Sequence, residues 1–322
     1  MPQSRIAILV PGKIHPRVIE RLGERFDIVA AERADSPSID TETAKRIRGV
    51  ASAGGFNAAW IDALPNLEVI ANFGVGYDGI AVAHAASKGI VVTNTPDVLN
   101  DEVADTAIGL LLNTLRQMPR AENWLRAGNW KSGQSFPLSP FSMKGRHVGL
   151  FGLGRIGHEI AKRLEPFKVK ISYHTRSHHE GVAYDYFSTL KQMAAAVDTI
   201  IAIVPKTAET HKVIDAEVLG LLGPNGVLIN VGRGWSVDED ALIAALRDGK
   251  LGAAGLDVFY DEPIVPAELL SLPNATLLPH IASASVPTRN AMADLVAENI
   301  IQWFETGVPA TPVPETPPKS KG

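Results

Sequence analysis

His147-Val148-Gly149-Leu150-Phe151-Gly152-Leu153-Gly154-Arg155-Ile156-Gly157 sets a short β-rich run directly against a G-x-G-x-x-G turn. A helical pattern follows to about Leu164, and a second β-rich run, Val169–Tyr173, follows that. Alone, the glycine pattern is weak. Between a strand and a helix inside a βαβ unit, it is the fingerprint of a dinucleotide-binding turn. Gly152 permits the tight turn, Gly154 lets backbone approach a pyrophosphate, and Gly157 allows helix and strand to pack closely. The helix N-terminus adds unpaired N–H donors and positive dipole charge.

The end of the second strand indicates which dinucleotide is bound. An NAD site usually carries an acidic residue there, about 20 residues past the turn, to accept the ribose hydroxyls. This chain has Tyr173-His174-Thr175-Arg176-Ser177, with no carboxylate. Arg176 offers charge and a planar fork of donors, and Ser177 a hydroxyl, both suited to a 2′-phosphate. The expected cofactor is NADPH, with NADH used at lower efficiency.

Outward from this turn, β-rich runs alternate with helical patterns on both sides, as in parallel sheets built from βαβ units. Downstream runs are Thr199–Val204, Val227–Val231, Ala253–Asp257 and Thr276–Leu278. Upstream runs are Arg5–Val10, Asp27–Ala30, Gly49–Ala53, Glu68–Asn72 and Ile90–Thr93. Asn57, Asp215 and Asp238 stand where helices are expected to begin. A fingerprint in mid-chain implies that the first hundred residues fold separately. The fold class is therefore α/β with two doubly wound parallel sheets, a Rossmann-type cofactor domain and a flavodoxin-like substrate domain. The expected boundaries are 99–286 for the dinucleotide-binding domain and 1–98 with 287–322 for the substrate domain. The last helical pattern, Val286–Phe304, returns to the first domain. A cleft between two such domains is a usual ligand site. The tail from Val308 is rich in Pro, Thr and Lys and is expected to fray, its Pro314 to Pro317 spacing included.

Composition narrows the function. With no cysteine among 322 residues, disulfide scaffolds, Cys-ligated zinc and thiol nucleophiles are excluded. Eight of the nine histidines, all but His280, show no metal-ligand spacing, and no metal is expected. A net charge of −4 provides no basic field for nucleic acid. No apolar stretch approaches the ~20 residues of a membrane span. The run Ile6 to Val10 is too short for a signal-peptide core. A cytoplasmic protein is the expectation.

Three strand ends in the second half carry polar residues that need explaining. They are Asn230-Val231-Gly232-Arg233-Gly234, then Leu256-Asp257-Val258-Phe259-Tyr260-Asp261-Glu262-Pro263, then Leu277-Leu278-Pro279-His280-Ile281-Ala282-Ser283. All follow carboxyl ends of strands, where doubly wound sheets bind ligands. Singly, each has a plain structural reading: an ion pair for Arg233, a turn for Glu262, a backbone partner for His280. Together with the glycine turn, they resemble the D-isomer-specific 2-hydroxyacid dehydrogenase family, most closely its glyoxylate/hydroxypyruvate reductase branch. The resemblance runs from about Ile6 to Pro314. It includes Asn72-Phe73-Gly74-Val75-Gly76-Tyr77-Asp78, Thr93-Asn94-Thr95-Pro96-Asp97, Glu102-Val103-Ala104-Asp105-Thr106 and the Val204-Pro205 to Thr210 segment.

Reducing a keto acid requires hydride at the carbonyl carbon and a proton at its oxygen. A histidine is a natural proton donor near neutral pH. The resemblance gives that role to His280, with Glu262 stabilising its imidazolium. Arg233 would grip the substrate carboxylate and polarise the carbonyl. The backbone N–H groups of Val75 and Gly76 would complete the carboxylate clamp as a nest. Arg155 and Ile156 would meet the pyrophosphate, and Val204, Pro205 and Thr210 would run along the cofactor. Thr106, Val231, Asp257 and Ser283 match positions near the nicotinamide end. The implied activity is NADPH-dependent reduction of small 2-keto acids such as glyoxylate and hydroxypyruvate to D-2-hydroxy acids.

The segment from Trp124 to Phe141 resembles the family's dimer arm. Trp124, Trp130 and Phe136 exposed on a monomer would form an unusual apolar patch, so a homodimer through 124–141 is expected, with Trp130 within reach of the partner's pocket. Within the family, NAD-linked D-lactate and D-3-phosphoglycerate dehydrogenases are the alternatives. Formate dehydrogenase relatives usually carry glutamine where this chain has Glu262. From a different class, a non-catalytic nucleotide-sensing scaffold of the same fold is the rival reading.

Overall fold

The computed structural model of the protein describes residues 5–32, 37 and 39–318. The chain divides into two compact units, Met1–Leu99 with Ala284–Gly322, and Asn100–Ser283. The first crossing falls where helix α5 (Asn100–Arg116) begins. The second falls just before Ser285, the N-cap of the last helix.

In the first unit, strands β1 (Ala7–Pro11), β2 (Asp27–Ala31), β3 (Ile47–Ser52), β4 (Val69–Asn72) and β5 (Val91–Thr93) alternate with helices. Those helices are α1 (Pro16–Gly23), α2 (Thr41–Arg46), α3 (Ala58–Ala63) and α4 (Val82–Ser87). All strand pairs are parallel, in the order β2-β1-β3-β4-β5. This is the flavodoxin-like winding. Strands β1 and β4 are buried along their whole length, as expected of parallel strands covered on both faces. Asn57 caps α3, its side chain accepting the N–H of Trp60. The long helix α12 (Val286–Thr306) covers one face, with Ala293, Val296 and Ile300 packed against Val10, Val18 and Val69.

The tail departs from the sequence expectation. Instead of fraying, it docks along edge strand β5. Pro312 pairs antiparallel with Thr93, and Val313 is 1% exposed. The N–H of Val313 donates to the carbonyl of Val92 at 2.9 Å, and the N–H of Val92 donates to the Thr316 hydroxyl at 2.8 Å. An edge strand offers unpaired backbone groups that favour such a cover. One valine and one hydroxyl outweigh a composition that reads as disordered. The Pro314 to Pro317 stretch belongs to this docked segment. Residues 319–322 lie outside the described chain.

The second unit holds α5, α6 (Met118–Arg126), then β6 (His147–Phe151), α7 (Arg155–Leu164), β7 (Lys170–His174) and the short β8 (Asp185–Tyr186). It continues with α8 (Leu190–Ala196), β9 (Thr199–Ala202), α9 (Ala216–Leu222), β10 (Val227–Asn230), α10 (Glu239–Arg247), β11 (Ala253–Leu256), α11 (Ala267–Ser271) and β12 (Ala275–Leu277). The sheet is parallel throughout, ordered β12-β11-β10-β9-β6-β7-β8. Counted from β6, this is the Rossmann order 3-2-1-4-5-6 with a seventh strand added, and the winding reverses between β6 and β9. Asp238 caps α10 as read from the sequence, and Asp215, near which a helix is expected to begin, caps α9. Trp124 on α6 and Phe136 in the arm that follows it pack edge-on at 5.8 Å and are half-buried within their own chain. Of the three aromatics expected at the surface, Trp130 stands out at 65% exposed.

Candidate active site

The glycine turn leaves β6 at the point where the sheet reverses its winding. Gly152 has φ +103°, and a Cβ there would lie 2.7 Å from the Ile203 carbonyl oxygen. Only glycine meets both demands. A Cβ on Gly157 would lie 2.6 Å from the Gly152 carbonyl oxygen, so this residue is what lets α7 seat on the turn. Gly154, the N-cap of α7, is different: nothing lies within 4 Å of where its Cβ would be. The turn is tight on its protein side and open in front of the helix, a cradle shaped for a pyrophosphate. Arg155 and Ile156 open the helix beside it.

Strand β7 ends at His174, and Arg176 and Ser177 are both exposed. The turn is shaped by the Thr175 hydroxyl donating to the Ser177 carbonyl at 2.6 Å. Thr210 closes the segment after β9. Its hydroxyl donates to the Pro205 carbonyl at 2.8 Å and accepts the Thr207 N–H at 2.9 Å. Within that loop the Glu209 carboxyl is held below its usual range, by backbone and Thr207 hydrogen bonds first and by the charge of Arg176 as well. The basic turn and the Val204–Thr210 segment thus share one electrostatic neighbourhood.

Arg233 stands between two glycines for a steric reason. A Cβ on Gly232 would come within 2.9 Å of Val204 backbone, and one on Gly234 within 1.9 Å of the Phe259 carbonyl carbon. The arginine loop is therefore pressed between the segment after β9 and the segment carrying Glu262. Buried Asn230 fixes it, donating to the Arg233 carbonyl at 2.9 Å and accepting the Gly232 N–H at 3.0 Å.

Glu262 Oε1 accepts the N–H of Phe259 at 3.0 Å, and Oε2 meets His280 Nδ1 at 2.7 Å. Burial pushes the Glu262 carboxyl up. The hydrogen bonds from His280 and Phe259 and the nearby charge of Arg233 more than offset this, and it sits below its usual value. An ionised carboxylate only accepts, so Nδ1 carries a proton. His280 Nε2 has no hydrogen-bond partner among the described residues, and the side chain is 47% exposed. This is an imidazole with one nitrogen braced and the other presented.

The histidine backbone is held in the left-handed region, φ +53°. Strain of this kind persists only where surroundings over-determine it. Buried Asp257 does so. Its carbonyl accepts the His280 N–H at 2.9 Å, and its two carboxylate oxygens accept those of Ile281 and Ala282 at 2.7 and 2.9 Å. Thr106, from α5, adds a hydroxyl donated to the Ala282 carbonyl at 3.1 Å. Of the residues the resemblance set near the nicotinamide end, Asp257 and Thr106 are thus committed to the histidine loop. Val231 is 5% exposed and Ser283 half-buried. Sequence reasoning missed the bracing roles of Asn230 and Asp257. Their only signal is a polar residue at or just past the buried end of a strand.

In the first unit, Val75 and Gly76 lie after β4. Neither N–H has a hydrogen-bond partner among the described residues. Two adjacent free N–H groups suit an anion.

Comparison with known proteins follows the same lines. Residues 108–282 match the family model for the NAD binding domain of D-isomer specific 2-hydroxyacid dehydrogenases. The chain is 44% identical over 312 residues to glyoxylate/hydroxypyruvate reductase A of Arabidopsis thaliana, covering 96% of this chain and 99% of that one. It is 42% identical, with the same coverage, to the hydroxyphenylpyruvate reductase of Plectranthus scutellarioides. Among solved structures, an NADPH-dependent glyoxylate/hydroxypyruvate reductase from Sinorhizobium meliloti, in complex with NADP and malonate, is 60% identical. It superimposes with a TM-score of 0.96 over 99% of this chain and 100% of that one.

Proposed function

From the premise that this chain belongs to the D-isomer specific 2-hydroxyacid dehydrogenase family, we propose that it is an NADPH-dependent reductase of small 2-keto acids, glyoxylate and hydroxypyruvate foremost. The observation that carries the reading is the 2.7 Å pairing of His280 Nδ1 with an ionised Glu262, set beside Arg233 at strand ends of the sheet that bears the glycine turn.

The residues fit the cofactor. Open space before Gly154 and the N-terminus of α7 suit a pyrophosphate. Exposed Arg176 and Ser177, with no acid at the end of β7, suit a 2′-phosphate. When bound, NADPH supplies the hydride that the carbonyl carbon receives. The chain's own residues do the rest. Arg233 anchors the substrate carboxylate and stabilises charge growing on the carbonyl oxygen. His280 delivers a proton from Nε2 to that oxygen. Glu262 keeps the Nδ1 proton in place and favours the imidazolium from which the proton leaves. The free N–H groups of Val75 and Gly76 would complete the grip on the carboxylate. The NAD-linked and sensor readings lack comparable support.

The reading also includes a two-fold dimer through 124–141, supported by Trp130, Leu125 and Leu138, which are 65%, 49% and 96% exposed. Sedimentation as a monomer at micromolar concentration would remove that part. Among the described residues, no helix is long and apolar enough to cross a membrane.

The deciding experiment follows loss of reduced cofactor with glyoxylate, hydroxypyruvate, pyruvate and hydroxyphenylpyruvate, using NADPH and NADH in turn. Turnover of the first two with preference for NADPH is expected. Silence across the panel would favour a nucleotide sensor, and a preference for NADH would overturn the cofactor assignment.

A further inference from the structure

The N–H groups of Val75 and Gly76 are free, while the carbonyls of the same loop are occupied. Asn72 Nδ2 donates to the carbonyls of Gly74 and Gly76 at 3.1 and 2.9 Å. Asn94 Nδ2 donates to that of Val75 at 2.8 Å. Three consecutive carbonyls are thus tied to side-chain amides, which fixes the peptide planes that carry the free N–H groups of Val75 and Gly76.

Asn94 is held in turn by the end of the chain. Its N–H donates to the Thr311 carbonyl at 3.3 Å, and the Thr311 hydroxyl donates to the Asn94 carbonyl at 2.7 Å. That hydroxyl has one proton to give, and it accepts from Asn299 Nδ2 at 2.9 Å. Asn299 is wholly buried on α12 and also takes the Thr311 N–H at 2.8 Å. A second hold lies four residues on, where the Tyr77 hydroxyl meets both oxygens of Glu315 at 3.2 and 3.3 Å. Between them, the docking of Val313 and Thr316 on Val92 anchors the segment to the sheet.

We propose that residues 311–316 form a strap that sets the shape of the carboxylate clamp, with Thr311 a positioning residue acting through Asn94 on Val75. The inference rests on the reductase reading above and adds a part of the chain that touches no substrate. A strap of this kind governs how well the carboxylate is gripped and leaves the proton donor alone. Its loss therefore appears in the KM of the keto acid and spares kcat.

The test uses the full chain with Thr311→Val, which keeps the branched shape and removes the hydroxyl, and Thr311→Ser, which keeps the hydroxyl. Thr311→Val is expected to raise the glyoxylate KM about tenfold, with kcat and the NADPH KM within roughly twofold of the parent. Thr311→Ser restores the parental KM. Tyr77→Phe, at an exposed contact that does not threaten folding, raises the same KM by a smaller factor. A parental glyoxylate KM in both Thr311→Val and Tyr77→Phe overturns the strap. So does a fall in kcat and a rise in both KM values in step with a lowered melting temperature, which marks general damage. A parent enzyme inert on every keto acid strikes the reductase reading itself and is told apart by needing no variant.

Discussion

The carbonyl of Asp257 accepts the N–H of His280 at 2.9 Å, and the same aspartate's carboxylate closes on the next two N–H groups of the chain. The proposed proton donor is thus placed by a buried acid that makes no hydrogen bond to the imidazole. Burial pushes the Asp257 carboxyl up, and the two backbone hydrogen bonds pull against it without cancelling it. In Asp257→Asn, an amide group replaces one of two acceptors, leaving an N–H of the loop unmatched. Stability should fall by about 1–3 kcal/mol. Release of the strained His280 backbone should lower kcat/KM by roughly a hundredfold, the scale of a misplaced catalytic group. Denaturant titration and steady-state kinetics on one preparation check both, and unchanged turnover in a destabilised variant would refute the link.

Replacing His280 by Ala should cost orders of magnitude in kcat/KM while NADPH still binds. Glu262→Gln provides the finer test. Without an acceptor for the Nδ1 proton the ring is no longer braced, so kcat/KM should fall by roughly a hundredfold while NADPH affinity holds. Parental kcat/KM in Glu262→Gln would deny Glu262 its role. The acid side concerns stability. The folded Glu262 carboxyl lies below its ordinary value, so its contribution is complete above the ordinary glutamate range and is lost as pH falls through the depressed value.

The glycines of the turn should separate folding from binding. Gly157→Ala drives a methyl into the Gly152 carbonyl and should destabilise by about 1–3 kcal/mol. The melting temperature should drop by about 2–4 °C for each of those kcal/mol. Gly154→Ser meets no protein atom and keeps a favoured N-cap residue, so the melting temperature should hold. Its side chain intrudes where the pyrophosphate would lie, and NADPH affinity should fall about tenfold or more. Isothermal titration beside a thermal melt is the check, and equal behaviour of the two variants would contradict the cradle.

Arg176→Ala should erode the preference for NADPH over NADH. Loss of one charged hydrogen bond corresponds to about 1.5–3 kcal/mol, or roughly a tenfold to hundredfold fall in the ratio of kcat/KM values. The decrease should come from NADPH alone. Equal losses with both cofactors would mean that Arg176 shapes the turn and does not read the phosphate.

Much of this was legible in the sequence because the signals are local. The strand, glycine turn and helix from His147 to Leu164 are contiguous, and β6 falls on the residues read for it. The caps at Asn57, Asp215 and Asp238 are matters of neighbouring residues too. What escaped depends on partners distant in the chain. Val313 and Thr316 read as fraying tail because their partner, Val92, lies over two hundred residues earlier. Asn94 and Asp257 read as motif letters because the carbonyls and N–H groups they satisfy are set by the fold. The two-residue strand β8 is too short for any period to show.

Helix α12 seals a sheet whose first strand begins at Ala7. On the ribosome, Val10 and Val69 emerge long before Ala293, Val296 and Ile300 exist to cover them. The contiguous stretch Asn100–Ser283 can close on itself while the earlier residues still wait. Residues 7–99 are thus made before 100–283 yet finished after them, and their apolar face waits longest for its cover.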